Sequence, residues 1–114
     1  SHALNKVADL AFRFILARRN ATAQECISYA LRYEPHSLKP ELNRAHVLMF
    51  GRVTEAKQIY EAHSGELIDG ERWEVCVLRD FAAMRNVGLK HTLMERLERQ
   101  FSHSGDPAVV AGYV

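Results

Sequence analysis

The stretch AQECISYAL, residues 23–31, returns in outline as AKQIYEAHS at residues 56–64, and this pairing decides how the chain is read. Ala23 falls on Ala56 and Ile27 on Tyr60, 33 residues apart in each case. Upstream of them, Ala11 falls on Ala45 and Phe14 on Leu48, 34 residues apart, and the single-residue difference lies in the turn near Gly51. An internal period of this length marks a repeated helical hairpin. The residue types have a physical logic. A small side chain at a helix crossing lets two backbones approach, and a large one fills the notch beside it.

Working outward from this pair, apolar residues recur at spacings of three and four in six segments. The first helix is predicted over 4–18, through Leu4, Val7, Ala8, Leu10, Ala11, Phe14 and Ile15, and Asn20 breaks it. The second covers 22–33 with Ala23, Cys26, Ile27, Ala30 and Leu31, and Pro35 stops it. The third covers 39–50 with Leu42, Ala45, Leu48 and Met49, ending before Gly51. The fourth covers 54–63 with Thr54 as its N-cap, and Ser64-Gly65 closes it. The fifth covers 70–86 through Trp73, Val77, Leu78, Phe81 and Met84, with Gly88 placed as the residue that ends it. The sixth covers 92–101, turning Leu93, Leu97 and Phe101 inward. No segment shows the apolar–polar alternation of a strand, so no strand is expected. The predicted fold is all-α, three antiparallel helical hairpins forming an α-solenoid fragment. Residues 1–102 make the domain. Its repeats are 4–37 and 38–66 and its capping hairpin is 70–102. The tail 103–114 is expected to be extended or disordered, or else docked through Val109, Val110, Tyr113 and Val114.

At 114 residues, 47% hydrophobic and 25% charged, the chain has enough material for one continuous core. Its 15 basic and 14 acidic residues are interspersed, so no clustered basic face argues for nucleic acid. No run of eighteen apolar residues suggests a membrane span, and no signal-peptide pattern is present. Ser1-His2-Ala3 carries no methionine, and the expectation is a domain excised from a longer protein. Cys26 and Cys76 have no CxxC spacing and are expected to be free buried thiols, in keeping with a cytoplasmic setting.

The small–large pattern resembles the tetratricopeptide repeat family, written TPR below. Its motif residues are Leu10, Ala11, Phe14, Ala23, Ile27, Ala30 and Pro35 in the first copy. In the second they are Ala45, Leu48, Ala56 and Tyr60, where His63 takes the next small position and no closing proline follows. The third hairpin fits loosely. Trp73 takes the leading aromatic place, and the stretch ERWEVCVLRDFAAMRNVGLKHTLMERLERQF, residues 71–101, is similar to the closing unit after repeat blocks in some bacterial multidomain proteins.

The resemblance implies a right-handed superhelix whose concave face is lined by the first helix of each hairpin. On that basis the candidate partner-binding residues are Asn5, Asp9, Phe12 and Ile15 with Lys39, Leu42, Asn43, His46 and Met49, alongside Ala8. Such a mixture suits an apolar–polar peptide or helix. A charged residue in place of Phe12 or Met49 is expected to abolish binding without unfolding the chain. The family's basic clamp for a chaperone's C-terminal carboxylate is rejected. Asn43 takes one clamp position, but Ala8 and Phe12 stand where the first repeat would supply lysine and asparagine.

Catalytic and metal readings find no constellation. The histidines form no i, i+4 pair and no HExxH, although His46 and His63 could meet across the second hairpin. Cys76 and Asp80 share a helix face without a nearby histidine, and Cys76 lies in an apolar stripe. Glu95, Arg96, Glu98 and Arg99 read as a solvated face, Trp73 as a packing wedge, and Asn20-Ala21-Thr22 as a formal sequon only. No catalytic residue, metal or cofactor is assigned. The expected function is a protein- or peptide-binding module, with no nucleic acid or membrane partner. The alternative is an oligomerisation or capping element using groove and tail residues.

Overall fold

The computed structural model describes residues 2–102. Among them are six helices and one two-stranded hairpin, so the all-α expectation holds. The helices are α1 (His2–Leu16), α2 (Asn20–Tyr33), α3 (Leu38–Met49), α4 (Val53–Ala62), α5 (Trp73–Asn86) and α6 (Thr92–Ser102). Strands β1 (Leu67–Ile68) and β2 (Glu71–Arg72) lie between α4 and α5. The chain divides into two compact units inside α4, the first ending at Ile59 and the second beginning at Tyr60.

In the first unit α1 and α2 pack closely, and α3 packs against both. The approach is possible because the contact positions are alanines. Ala8, Ala11, Ala23, Ala30, Ala45 and Ala56 are all buried, while Ile15, Ile27, Leu42 and Met49 fill the space between them. Pro40 sits in the first turn of α3, where an N–H has no intrahelical acceptor, so the ring costs no hydrogen bond. Helix α4 starts at Val53, which places Thr54 inside the first turn and not at the predicted N-cap.

Helix α1 ends in a Schellman closure. Arg19 N–H donates to Phe14 C=O at 2.8 Å and Arg18 N–H to Ile15 C=O at 3.0 Å. The closing residue is Arg18, with φ 62°, where glycine is usual. Helix α5 closes in the same way on Gly88, as the sequence predicts. Leu89 N–H donates to Met84 C=O and Gly88 N–H to Arg85 C=O, both at 2.9 Å.

The second unit corrects the strand-free reading. Asp69 and Gly70 both have positive φ, 50° and 84°, the signature of a type I′ turn. Leu67 pairs with Arg72 and Ile68 with Glu71 in antiparallel register. Asp69-Gly70 is the favoured dipeptide for this turn, a signal that the strand-free reading passed over, and two-residue strands are too short to show alternation. The hairpin delays α5, which begins at Trp73 and not at residue 70. The hairpin and α6 both pack on α5. The core here is large side chains: Trp73, Val77, Phe81, Met84, Met94, Leu97 and Phe101.

Candidate functional site

The candidate residues concentrate on the seam between α1 and α3. Lys39, Asn43 and His46 recur on α3 at spacings of four and three, so they stack along one edge of the helix. Each meets a different feature of α1. Lys39 Nζ lies 2.9 Å from Asp9 Oδ1. Asn43 Nδ2 donates to the Ala8 carbonyl at 2.8 Å. The His46 ring lies 5.7 Å from the Phe12 ring, centroid to centroid, at 51°. Ala8 permits this arrangement, since a longer side chain there would hold Asn43 away from the backbone.

Burial sorts the nine expected residues. Ile15, Leu42, Asn43, His46 and Met49 are interior, whereas Asn5, Phe12 and Lys39 are half-buried and Asp9 is exposed. A partner approaching this seam meets the last four. Met49 is 1% exposed, which corrects the expectation that a charge there leaves the fold intact. An unpaired buried charge costs several kcal/mol. Asn43 is interior and donates one amide N–H to the Ala8 carbonyl, so its side chain is turned into the fold and not toward an incoming carboxylate, a second physical reason against the clamp.

The exposed end of the seam offers an anionic carboxylate, a cationic amine and an aromatic edge within one helical turn. A surface ion pair such as Asp9–Lys39 contributes ~1 kcal/mol or less to the fold.

Elsewhere the expected chemistry resolves into packing. Trp73 is fully buried and its Nε1 donates to the Tyr60 carbonyl at 2.7 Å, as suits a wedge. Burial pushes the Tyr60 phenol well above its ordinary pKa, and the charge of Asp80 adds to the effect. His63 has Glu66 Oε2 at 2.7 Å and its ring against Trp73, while His46 sits against Phe12. Cys26 and Cys76 are free thiols, but only Cys76 is buried, with Arg79 Nη2 at 3.6 Å from its sulfur; Cys26 is half-buried. Glu98 is not simply a solvated charge. Arg85 grips it with two nitrogens, at 2.6 and 3.1 Å.

The sequence reading missed Glu74. Its buried carboxylate accepts from Gly65 N–H at 2.9 Å and from Arg72 Nη2 at 3.3 Å, tying the start of the β-hairpin segment to α5. The signal was a carboxylate in the apolar stripe of α5, directly after Trp73.

Among the described residues no group of three or more His, Cys, Asp or Glu side chains is placed to hold a metal ion, and no helix is long and apolar enough to cross a membrane. The tail positions Val109, Val110, Tyr113 and Val114, and His103, lie outside the described residues. No family model, curated protein or solved structure matches the chain.

Proposed function

We propose that the chain is a protein-interaction module of the TPR type, taking a peptide or helix along the α1–α3 seam. One observation carries this reading. Asp9, Phe12, Lys39, Asn43 and His46, singled out from two separate sequence segments, come together in one cross-helix ladder. The interior members, Asn43 and His46, fix the spacing of the two helices. The outer members, Asn5, Asp9, Phe12 and Lys39, are the partner's contacts. Recognition then rests on one aromatic anchor beside a charge pair, the arrangement in which a few residues dominate binding. Cytoplasmic residence belongs to the same proposal, since the free thiols of Cys26 and Cys76 persist in a reducing compartment.

The test is peptide selection from a displayed library on the whole chain, followed by rebinding to variants. Selected peptides are expected to lose at least about tenfold in affinity with Phe12→Ser or Lys39→Glu, because anchor residues of an interface each contribute more than about 1.4 kcal/mol. Circular dichroism checks that both variants remain helical. Peptides that bind the two variants as well as the parent would place the interface elsewhere.

A further inference from the structure

From its exposed aromatic side chains and its cations without a partner among the described residues, we infer that the outer face of the first hairpin docks an acidic amphipathic helix of another protein. This surface is separate from the α1–α3 seam. On α1, Val7, Leu10 and Phe14 follow one another at three and four residues, on the flank opposite Asp9 and Phe12. Leu10 is 43% exposed. On α2, Tyr29 and Tyr33 are 49% and 62% exposed, with ring centroids 5.0 Å apart. Leu10, Tyr29 and Tyr33 are thus large groups left facing water on the two helices of one hairpin, where a typical domain covers them or uses them.

Charge identifies the occupant. Lys6 and Arg13 stand one turn either side of Leu10, and Arg32 stands one turn beyond Tyr29. All three are exposed and have no ion pair or hydrogen bond among the described residues. The contrast with other arginines is direct. Arg44, Arg52, Arg79 and Arg85 each hold a carboxylate at 3.3 Å or less. Glu25 lies one turn before Tyr29 and Glu34 follows Tyr33, so the excess of positive charge runs along α1, at Lys6 and Arg13.

A helix with leucine-like residues at i, i+3, i+4 and i+7 and glutamates on its margins matches both features. A second copy presenting the same face would set like charges together. Residues 103–114 of this chain contain one acid, Asp106, and cannot supply the complement. The tyrosine rings lie at 52° to one another, so they do not form the parallel platform on which successive nucleic-acid bases stack.

The probe is a fluorescein-labelled synthetic amphipathic helix with leucines on one face and glutamates beside them, measured by anisotropy against the whole chain. Its matched lysine peptide and a single-stranded oligouridylate are the comparison ligands. The glutamate peptide is expected to bind, with an affinity that falls as salt rises. The double variant Lys6→Glu/Arg13→Glu and the double variant Tyr29→Ser/Tyr33→Ser should each weaken it about tenfold or more. Phe12→Ser should leave it unchanged, which separates this face from the seam. Every substituted position of the two double variants is exposed, and circular dichroism confirms their folding. The inference is overturned if neither peptide binds, if the lysine peptide binds equally, or if the double variants retain full affinity. Binding of the oligouridylate alone overturns it in favour of nucleic acid. Concentration-dependent sedimentation that the double variants abolish overturns it in favour of self-association.

Discussion

The two units solve the same packing problem with opposite materials. In the first, the buried small residues Ala8, Ala11, Ala23, Ala30, Ala45 and Ala56 bring backbones together, and the large side chains fill what remains. In the second no alanine is buried among the described residues. Trp73, Tyr60, Phe81, Met94, Leu97 and Phe101 hold the elements apart and occupy the gap. Close backbone packing leaves little side-chain volume to hide, so a helix pair can complete its core and still carry Leu10, Tyr29 and Tyr33 on its outside. A core built on one indole must instead enclose it, and the β-hairpin, α5 and α6 contribute to that enclosure. Charged groups pair in both units: Lys39, Arg44 and Arg52 hold carboxylates in the first and Arg72, Arg79 and Arg85 in the second, while Lys6, Arg13 and Arg32 of the first have no partner among the described residues.

The contrast breaks most severely at the indole. Trp73→Ala removes the largest buried side chain and the bond to the Tyr60 carbonyl, at a cost of about 4 kcal/mol. Hydrogen exchange followed by mass spectrometry should show lost amide protection after Tyr60 and near-normal protection before it. Equal loss in both units would mean that they unfold as one and that the contrast is only geometric. The converse substitution is Ala11→Leu. It inserts three heavy atoms where two helices touch and should cost about 3 kcal/mol, with the protection lost in α1 and α2. If the variant melts like the parent, close backbone approach is not what holds the first unit.

The same difference explains what was legible in the sequence. Alanine at a fixed period is a strong signal because few other reasons place small residues three and four apart. The first four helices lie within about two residues of their predicted ends, and α6 lies as close through its Leu93, Leu97 and Phe101 stripe alone. The second unit has no such period. Its β-hairpin hides behind two-residue strands, and the extra turn shifts the start of α5 to Trp73. In the candidate site, the pattern placed Lys39, Asn43 and His46 on one helix edge but did not say what lay opposite. An edge bearing an amide and an imidazole reads as a wet surface. Against the Ala8 carbonyl and the Phe12 ring it becomes partly interior, because both groups find partners there. That outcome depended on a residue 35 positions away.

A smaller and more exact comparison uses the matched helix ends. Both α1 and α5 finish in a Schellman closure, the first on Arg18 and the second on Gly88, with φ of 62° and 84°. A side chain in this left-handed conformation costs about 1 kcal/mol. Arg18→Gly should therefore raise stability by about 1 kcal/mol, and Gly88→Ala should lower it by a similar amount. Denaturant midpoints at unchanged slope measure both. Opposite signs are expected, and a destabilised Arg18→Gly would show that the arginine side chain offsets its own backbone strain.

The smallest effect sharpens the electrostatic side of the contrast. Arg79 holds Glu71 through two hydrogen bonds, at 2.8 and 2.9 Å, and these with its charge pull the Glu71 carboxyl below its ordinary pKa of 4.5. A carboxylate whose pKa is lowered by folding binds fewer protons in the folded state than in the unfolded one as pH falls through this range. Its contribution to stability is thus complete above the ordinary carboxylate range and disappears as pH drops through the lowered folded value. Glu71→Gln should melt slightly below the parent at neutral pH. The two curves should converge in acid, where Glu71 is protonated in both states. They should also converge in high salt, because the pair is half-exposed and screened. A gap that survives acid and salt would assign the loss to the shape of the side chain in the β-hairpin, since neither condition alters an uncharged contact.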